Sequence, residues 1–94
     1  MTVTIKIPAP LRPLAQNQSE VVIEATGTVG AAVTELTTRF PALKDRLLDD
    51  KGALRRYVNV FRNEEDIRAA GGLGASLKDG DKLAVVPAIA GGLQ

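Results

Sequence analysis

Residue types able to do chemistry on their own are scarce in this chain. Its 94 residues include no Cys and no His. That removes cysteine nucleophiles, disulfides, thiolate-bound zinc and iron–sulfur clusters, the usual general base and the commonest neutral metal ligand. A short set of motifs remains. Glu64-Glu65-Asp66 offers three carboxylates to a hard cation, but consecutive residues in a turn point in different directions, so a solvated cap is expected rather than a metal site. Gly71-Gly72-Leu73-Gly74 has the glycine content of a phosphate cradle without the Lys-Ser or Lys-Thr that would follow it, and is read as a turn. Pro10-Leu11-Arg12-Pro13 matches a PxxP ligand and Asn17-Gln18-Ser19 a glycosylation acceptor. The first is read as a stiff loop, the second as unused outside the secretory route. The last candidate is Gly91-Gly92. Two residues without Cβ can thread a narrow channel and take whatever backbone geometry a partner demands. Taken alone, such a pair is only a fraying end. No catalytic side chain, metal or bound cofactor is expected, and the chain does not read as a conventional enzyme.

A glycine pair is useful only if a folded body carries it. Residues 2–7 alternate, with Val3, Ile5 and Ile7 on one side and Thr2, Thr4 and Lys6 on the other, the period of a half-buried strand. Pro8, Pro10 and Pro13 stop it. Residues 19–25 supply a second strand with Val21 and Ile23 inward, completing a hairpin. From Thr28 the period changes: Val29, Val33, Leu36 and Phe40 recur on one helical face, Thr28 or Thr26 caps its start, and Pro41 ends or kinks it. A charged stretch at 44–51 holds Leu47 and Leu48 and reads as a short helical turn running into a loop at Gly52. Residues 57–62 form a third strand, Val58 and Val60 on one face and Tyr57, Asn59 and Phe61 on the other. Asn63 to Asp66 reads as a tight turn, Ile67 as a brief extended piece, Asp79-Gly80-Asp81 as a further turn, and residues 83–86 as the last strand.

The order strand, strand, helix, strand, short strand, strand fits an α+β fold, a mixed sheet of four to five strands packed on one main helix, with the first and last strands side by side at the centre. This arrangement is a β-grasp. Residues 1–87 are expected to form the domain and 88–94 a flexible C-terminal tail. Charge adds little: 12 Lys and Arg against 11 Asp and Glu give a net +1, too weak a field to argue for nucleic acid or an anionic membrane. Phe40, Tyr57 and Phe61 are the only aromatics, too few for a base-stacking platform. With no signal-peptide pattern and no apolar run near the ~20 residues that span a bilayer, a soluble, cytoplasmic protein is expected. The basic residues Lys44, Arg46, Lys51, Arg55, Arg56, Arg62 and Arg68 are interleaved with acids and read as a solvated, mixed-charge surface.

Three stretches in order, Tyr57-Val58-Asn59-Val60-Phe61-Arg62-Asn63-Glu64-Glu65-Asp66-Ile67-Arg68, Asp79-Gly80-Asp81-Lys82-Leu83-Ala84-Val85-Val86 and the tail Val86-Pro87-Ala88-Ile89-Ala90-Gly91-Gly92, resemble the MoaD/ThiS family of ubiquitin-like sulfur carriers. Within it they are most similar to carriers of the CysO type, which serve cysteine biosynthesis. The resemblance implies that Gly92 is adenylated with ATP by a ubiquitin-activating-type adenylating and sulfur-transferring enzyme and converted to a thiocarboxylate. Ala90, Gly91 and Gly92 would be the tail that enters the partner's active site. A sulfur-acceptor enzyme such as a pyridoxal-phosphate cysteine synthase would follow, although molybdopterin, thiamine and secondary metabolites draw on similar carriers. The chain departs from the usual pattern by continuing with Leu93-Gln94, which ties the Gly92 carbonyl into an amide. That extension is either removed by a peptidase, as a JAMM-type metalloprotease does for some relatives, or is a remnant of recombinant expression. In relatives the sheet face opposite the helix meets the activating enzyme, which nominates Tyr57, Phe61 and Val86 as contacts; the alternative is that they close a small secondary core. A lysine-conjugated protein modifier and a β-grasp interaction module with an inert tail are the rival readings.

Overall fold

A computed structural model describes residues 2–24 and 27–87. Five strands form one sheet: β1 (Thr2–Lys6), β2 (Glu20–Glu24), β3 (Val58–Arg62), β4 (Glu65–Asp66) and β5 (Lys82–Pro87), in the spatial order β2-β1-β5-β3-β4. β1 and β5 run parallel at the centre, Ile5 beside Leu83, and every other pairing is antiparallel. The expected β-grasp and its central pair are therefore present. β1, β2, β3 and β5 bury alternate residues because helices cover one face only. Val3, Ile5, Val21, Ile23, Leu83 and Val85 point inward. They meet α1 (Val29–Arg39) and α2 (Pro41–Leu47), whose Val29, Val33, Leu36, Leu43 and Leu47 are buried. Each such side chain contributes about 1.5–3 kcal/mol relative to an exposed one.

Thr28 is the cap of α1. Its backbone is extended (φ −133°, ψ 157°) and its hydroxyl accepts from the Ala31 N–H at 3.1 Å, satisfying one of the orphan donors of the first turn. Gly30, the second residue of α1, lies against the Gly72–Gly74 segment so closely that a Cβ there would sit 3.0 Å from the Leu73 carbonyl oxygen.

Several connections differ from the sequence-based expectation. The proline-rich loop is a 3₁₀ helix, Ala9–Ala15, that buries Leu11 and Ala15; proline is compatible with a first helical turn, where its missing N–H is not needed. Pro41 both ends α1 and starts α2 at its first position, so the second helix begins before Lys44 and stops at Leu47. The tight turn after β3 consists of Asn63 (φ 49°) and Glu64 (φ 76°) alone. Glu65–Asp66 is the short strand, and Ile67–Ala70 is a 3₁₀ helix rather than an extended piece. The reason is local: the Asp66 carboxylate accepts from the Arg68 N–H at 2.9 Å and starts the helix. Gly71, at φ 108°, ends it, and Gly72–Gly74 forms another 3₁₀ turn packed on α1 in place of a loose connection.

The turn before β5 anchors the free end of β1. Asp79 accepts from the Thr2 N–H at 2.8 Å and from its hydroxyl, while Gly80 donates to the Thr2 carbonyl. Asp81 accepts from the Lys78 N–H at 2.8 Å and from the Asn63 side-chain amide at 2.9 Å. Carboxylates that accept two such bonds favour their ionised form, so both groups are held below the ordinary carboxylate value.

Candidate functional site

The residues of the candidate site arise from strand parity. Because Val58 and Val60 are buried, Asn59 and Phe61 face away from the helices; because Leu83 and Val85 are buried, Ala84 and Val86 do the same. Register then brings them together: Phe61 lies opposite Ala84, Asn59 opposite Val86, and Lys6 on the other side of Ala84. Tyr57 sits one residue before β3, beyond the Val58–Pro87 pair that closes the sheet.

Tyr57 and Val86 are 43% and 44% exposed and Phe61 is half-buried. They leave a solvent-facing apolar ridge rather than a closed secondary core. On one side of Val86 is a shallow hollow of ≈ 580 Å³, floored by Phe61 and Ala84 and rimmed by Lys6, Lys82 and Glu64. On the other is a hollow of ≈ 380 Å³ where Tyr57 and Pro87 meet Pro8, Pro10 and Arg46. The two hollows thus combine apolar side chains at the centre with charged ones of both signs, Lys6, Lys82, Arg46 and Glu64, at the rim.

The end of β5 is part of this surface, since Val86 and Pro87 line it, and the sequence places Gly92 five residues after Pro87. Ala90, Gly91, Gly92, Leu93 and Gln94 lie outside the described residues. The parallel pairing of β1 with β5 fixes at which end of the sheet the chain departs, next to Tyr57 and away from the Asp79 turn.

Glu64, Glu65 and Asp66 diverge. Glu65 pairs with Arg62 at 3.0 Å and Asp66 caps the following helix. Among the described residues no three His, Cys, Asp or Glu are gathered to hold a metal ion, and no helix is long and apolar enough to cross a membrane.

Three of the basic residues on this mixed-charge surface also bond main-chain carbonyls of other segments. Arg62 donates to the Ser76 carbonyl at 2.7 Å as well as to Glu65. Arg55 donates to the Asp45 carbonyl at 2.7 Å. Arg68 reaches the Asn59 side-chain oxygen and the carbonyls of Arg55, Arg56 and Val58. These guanidinium groups tie segments together at the surface, Arg55 and Arg62 half-buried and Arg68 exposed. No local pattern could have found them, because their acceptors come from other elements.

Comparison with known proteins agrees with this architecture. The ThiS family matches residues 5–92. The sulfur carrier protein CysO of Mycobacterium tuberculosis is 41% identical over 95 residues, 98% of this chain and 100% of the relative. Small archaeal modifier protein 1 of Haloferax volcanii is 39% identical over 70 residues, 74% of this chain and 76% of the relative. Among solved structures, the Amycolatopsis orientalis BexX/CysO complex superposes with a TM-score of 0.84 at 41% identity, covering 96% of this chain and 99% of the matched one. The fold, the near full-length family match and the identity to CysO lead to one conclusion: the chain belongs to the ThiS family of ubiquitin-like β-grasp proteins.

Proposed function

We propose that this protein is a sulfur carrier of the CysO type, a protein cosubstrate rather than an enzyme, whose Gly92 carboxylate is activated and charged with sulfur for cysteine biosynthesis. The observation that carries the reading is the placement of the β5 exit within an exposed apolar surface with a charged rim, with a glycine pair four and five residues further along the sequence. Fully extended, those five residues reach about 17 Å at about 3.3 Å each, enough to deliver a terminus into another protein's active site while the sheet stays docked.

The chemistry belongs to the partner. A carboxylate is a poor electrophile; attack of the Gly92 carboxylate on the α-phosphorus of ATP forms an acyl-adenylate and releases pyrophosphate. Sulfide displaces AMP and leaves the thiocarboxylate directly; a partner's persulfide displaces AMP to give an acyl disulfide, which a second partner thiolate cleaves, forming a disulfide with the first cysteine and releasing the thiocarboxylate. Leu93-Gln94 must first be hydrolysed from Gly92, because an amide carbonyl has no free oxygen to adenylate; a JAMM-type metalloprotease is the proposed agent. The carrier's own parts are the ridge Tyr57, Phe61 and Val86, which docks on the ubiquitin-activating-type enzyme, and the narrow Ala90-Gly91-Gly92 lead. A pyridoxal-phosphate cysteine synthase is the proposed acceptor enzyme. Crystallisation of a similar CysO in complex with BexX supports a docking role for this fold, and similarity to other CysO proteins supports cysteine as the destination. The cytoplasm, where ATP is available, is the proposed location.

Intact-mass measurement of untagged protein from its own cells tests the proposal. A chain ending at Gly92 with one oxygen replaced by sulfur is expected; material that retains Leu93-Gln94 permanently and still functions would end it. Similarity to small archaeal modifier protein 1 favours one alternative, a modifier joined through Gly92 to target lysines. Ladders of higher-mass conjugates on blots from the same cells would favour that reading over the carrier.

A further inference from the structure

Arg68 supplies an inference about how the docking ridge is held. It lies in the 3₁₀ helix Ile67–Ala70, its backbone fixed by Asp66. Its side chain crosses to the segment that leads into β3. One guanidinium nitrogen bonds the Asn59 side-chain oxygen, and the other donates to the carbonyls of Val58 at 2.8 Å, Arg55 at 3.2 Å and Arg56 at 3.4 Å. The Val58 N–H closes the same turn onto the Arg55 carbonyl at 2.9 Å. From the opposite side the Arg55 N–H is bound to the Leu47 carbonyl at 2.9 Å, and its guanidinium to the Asp45 carbonyl. The turn at 55–58 is thus clamped between the end of α2 and Arg68, with Tyr57 at its tip. All four acceptors of Arg68 are neutral oxygens, three of them main-chain, so the group organises backbone rather than neutralising a carboxylate. Only a guanidinium presents a planar set of five donors suited to several acceptors at once; lysine is a single point of charge and glutamine has two donors.

We propose that Arg68 is a positioning residue for partner docking: it preorders the 55–58 turn and orients Asn59, so that Tyr57 and the neighbourhood of Val86 meet the activating enzyme without being ordered at the moment of binding. Tyr57 precedes β3, so the sheet ladder does not fix its direction and the turn must. Preordering a contact loop raises affinity by removing an entropic cost of association. The inference rests on the carrier reading, and its test separates the two.

Wild type, Arg68→Gln, Arg68→Lys, Tyr57→Ala and the Arg68→Gln/Tyr57→Ala double variant are prepared as full chains, with the same set ending at Gly92. In the full chains, amide hydrogen exchange at Val58 is expected to accelerate on the order of tenfold in Arg68→Gln through local opening, and less in Arg68→Lys. In the shortened chains, ATP–pyrophosphate exchange by a ubiquitin-activating-type enzyme is expected to show KM raised roughly five- to tenfold for Arg68→Gln and Tyr57→Ala, kcat within about twofold, and the double variant no worse than Tyr57→Ala alone. Unchanged protection at Val58 overturns the clamp. Unchanged KM, or single effects that multiply in the double variant, overturns the positioning role. Absence of exchange with the wild-type chain overturns the carrier reading and the docking role built on it, while the hydrogen-exchange arm still reports on the clamp.

Discussion

The two faces of the sheet are written by alternate residues of the same strands, and they do opposite work. Along β5, Val85 is 5% exposed and Val86 is 44% exposed; the residues are adjacent and chemically identical. The covered face, with Leu83 and Val60 under α1 and α2, stabilises the fold. The open face carries Phe61 and Ala84, both half-buried, and Val86, exposed; in the proposed function it is the face that meets a partner. A single-residue step in sequence therefore separates a buried side chain from an exposed one, and the proposed function predicts a stability phenotype for the first and a recognition phenotype for the second, because a strand turns each successive side chain to the other face.

Leu83→Ala should show the largest effect. Leu83 is 1% exposed at the central parallel pair, and removing its side chain is expected to cost about 2–5 kcal/mol through lost burial and the cavity left behind; the chemical denaturation midpoint checks this. A loss under about 1 kcal/mol would break the contrast between the faces. Val86→Asp should reverse the pattern, changing stability by less than about 1 kcal/mol while raising the KM of the activating enzyme about tenfold or more by placing an unpaired charge in the apolar centre of the interface. Equal loss of stability in both variants would show that the open face belongs to the core.

Smaller effects sharpen the comparison at its edge. Glu64 occupies the second position of a two-residue hairpin turn at φ 76°, where glycine is preferred. Glu64→Gly is expected to raise stability by about 0.5–1 kcal/mol as left-handed strain is relieved, read from the thermal midpoint, and to leave Leu83 burial untouched. The smallest effect concerns acid. Asp79 and Asp81 are held below the ordinary value by the bonds from Thr2 and from Lys78 and Asn63, so the unfolded chain binds more protons at these sites than the folded one. Their contribution is fully present above about pH 4, the unfolded value, and declines as pH falls through the lowered folded value. Solvent screening keeps it modest, since Asp79 is exposed. Urea midpoints measured above and below that pH should fall less in an Asp79→Asn/Asp81→Asn double variant than in wild type; parallel falls would remove the two turns from the acid response.

Local pattern carried much of the architecture. Alternation in residues 2–7, 57–62 and 83–86 marked the strands and their inward faces, and the stripe Val29, Val33, Leu36 and Phe40 marked α1 and its buried side. Thr28 was legible as a cap and Pro41 as a boundary. The misread segments share a cause: the proline-rich stretch, the start of α2 and the piece after Glu65 are short, so few residues report a period and single side-chain bonds decide the outcome. Asp66 capping its own helix is one such bond.

What the sequence determined unaided is everything that depends on neighbours within one or two turns: periodicity, caps, breakers, and the order of elements that makes a β-grasp the economical solution. What only tertiary structure decided is the placement of Val86 between Phe61 on one side and Tyr57, beside the exit of β5, on the other, and the work of Arg55, Arg62 and Arg68. Arg68 and its acceptors are 9 to 13 residues apart in the chain. A guanidinium carries no mark in sequence of which distant carbonyls will accept from it; strand register and the curl of a 3₁₀ helix choose them once hydrophobic burial has assembled the sheet.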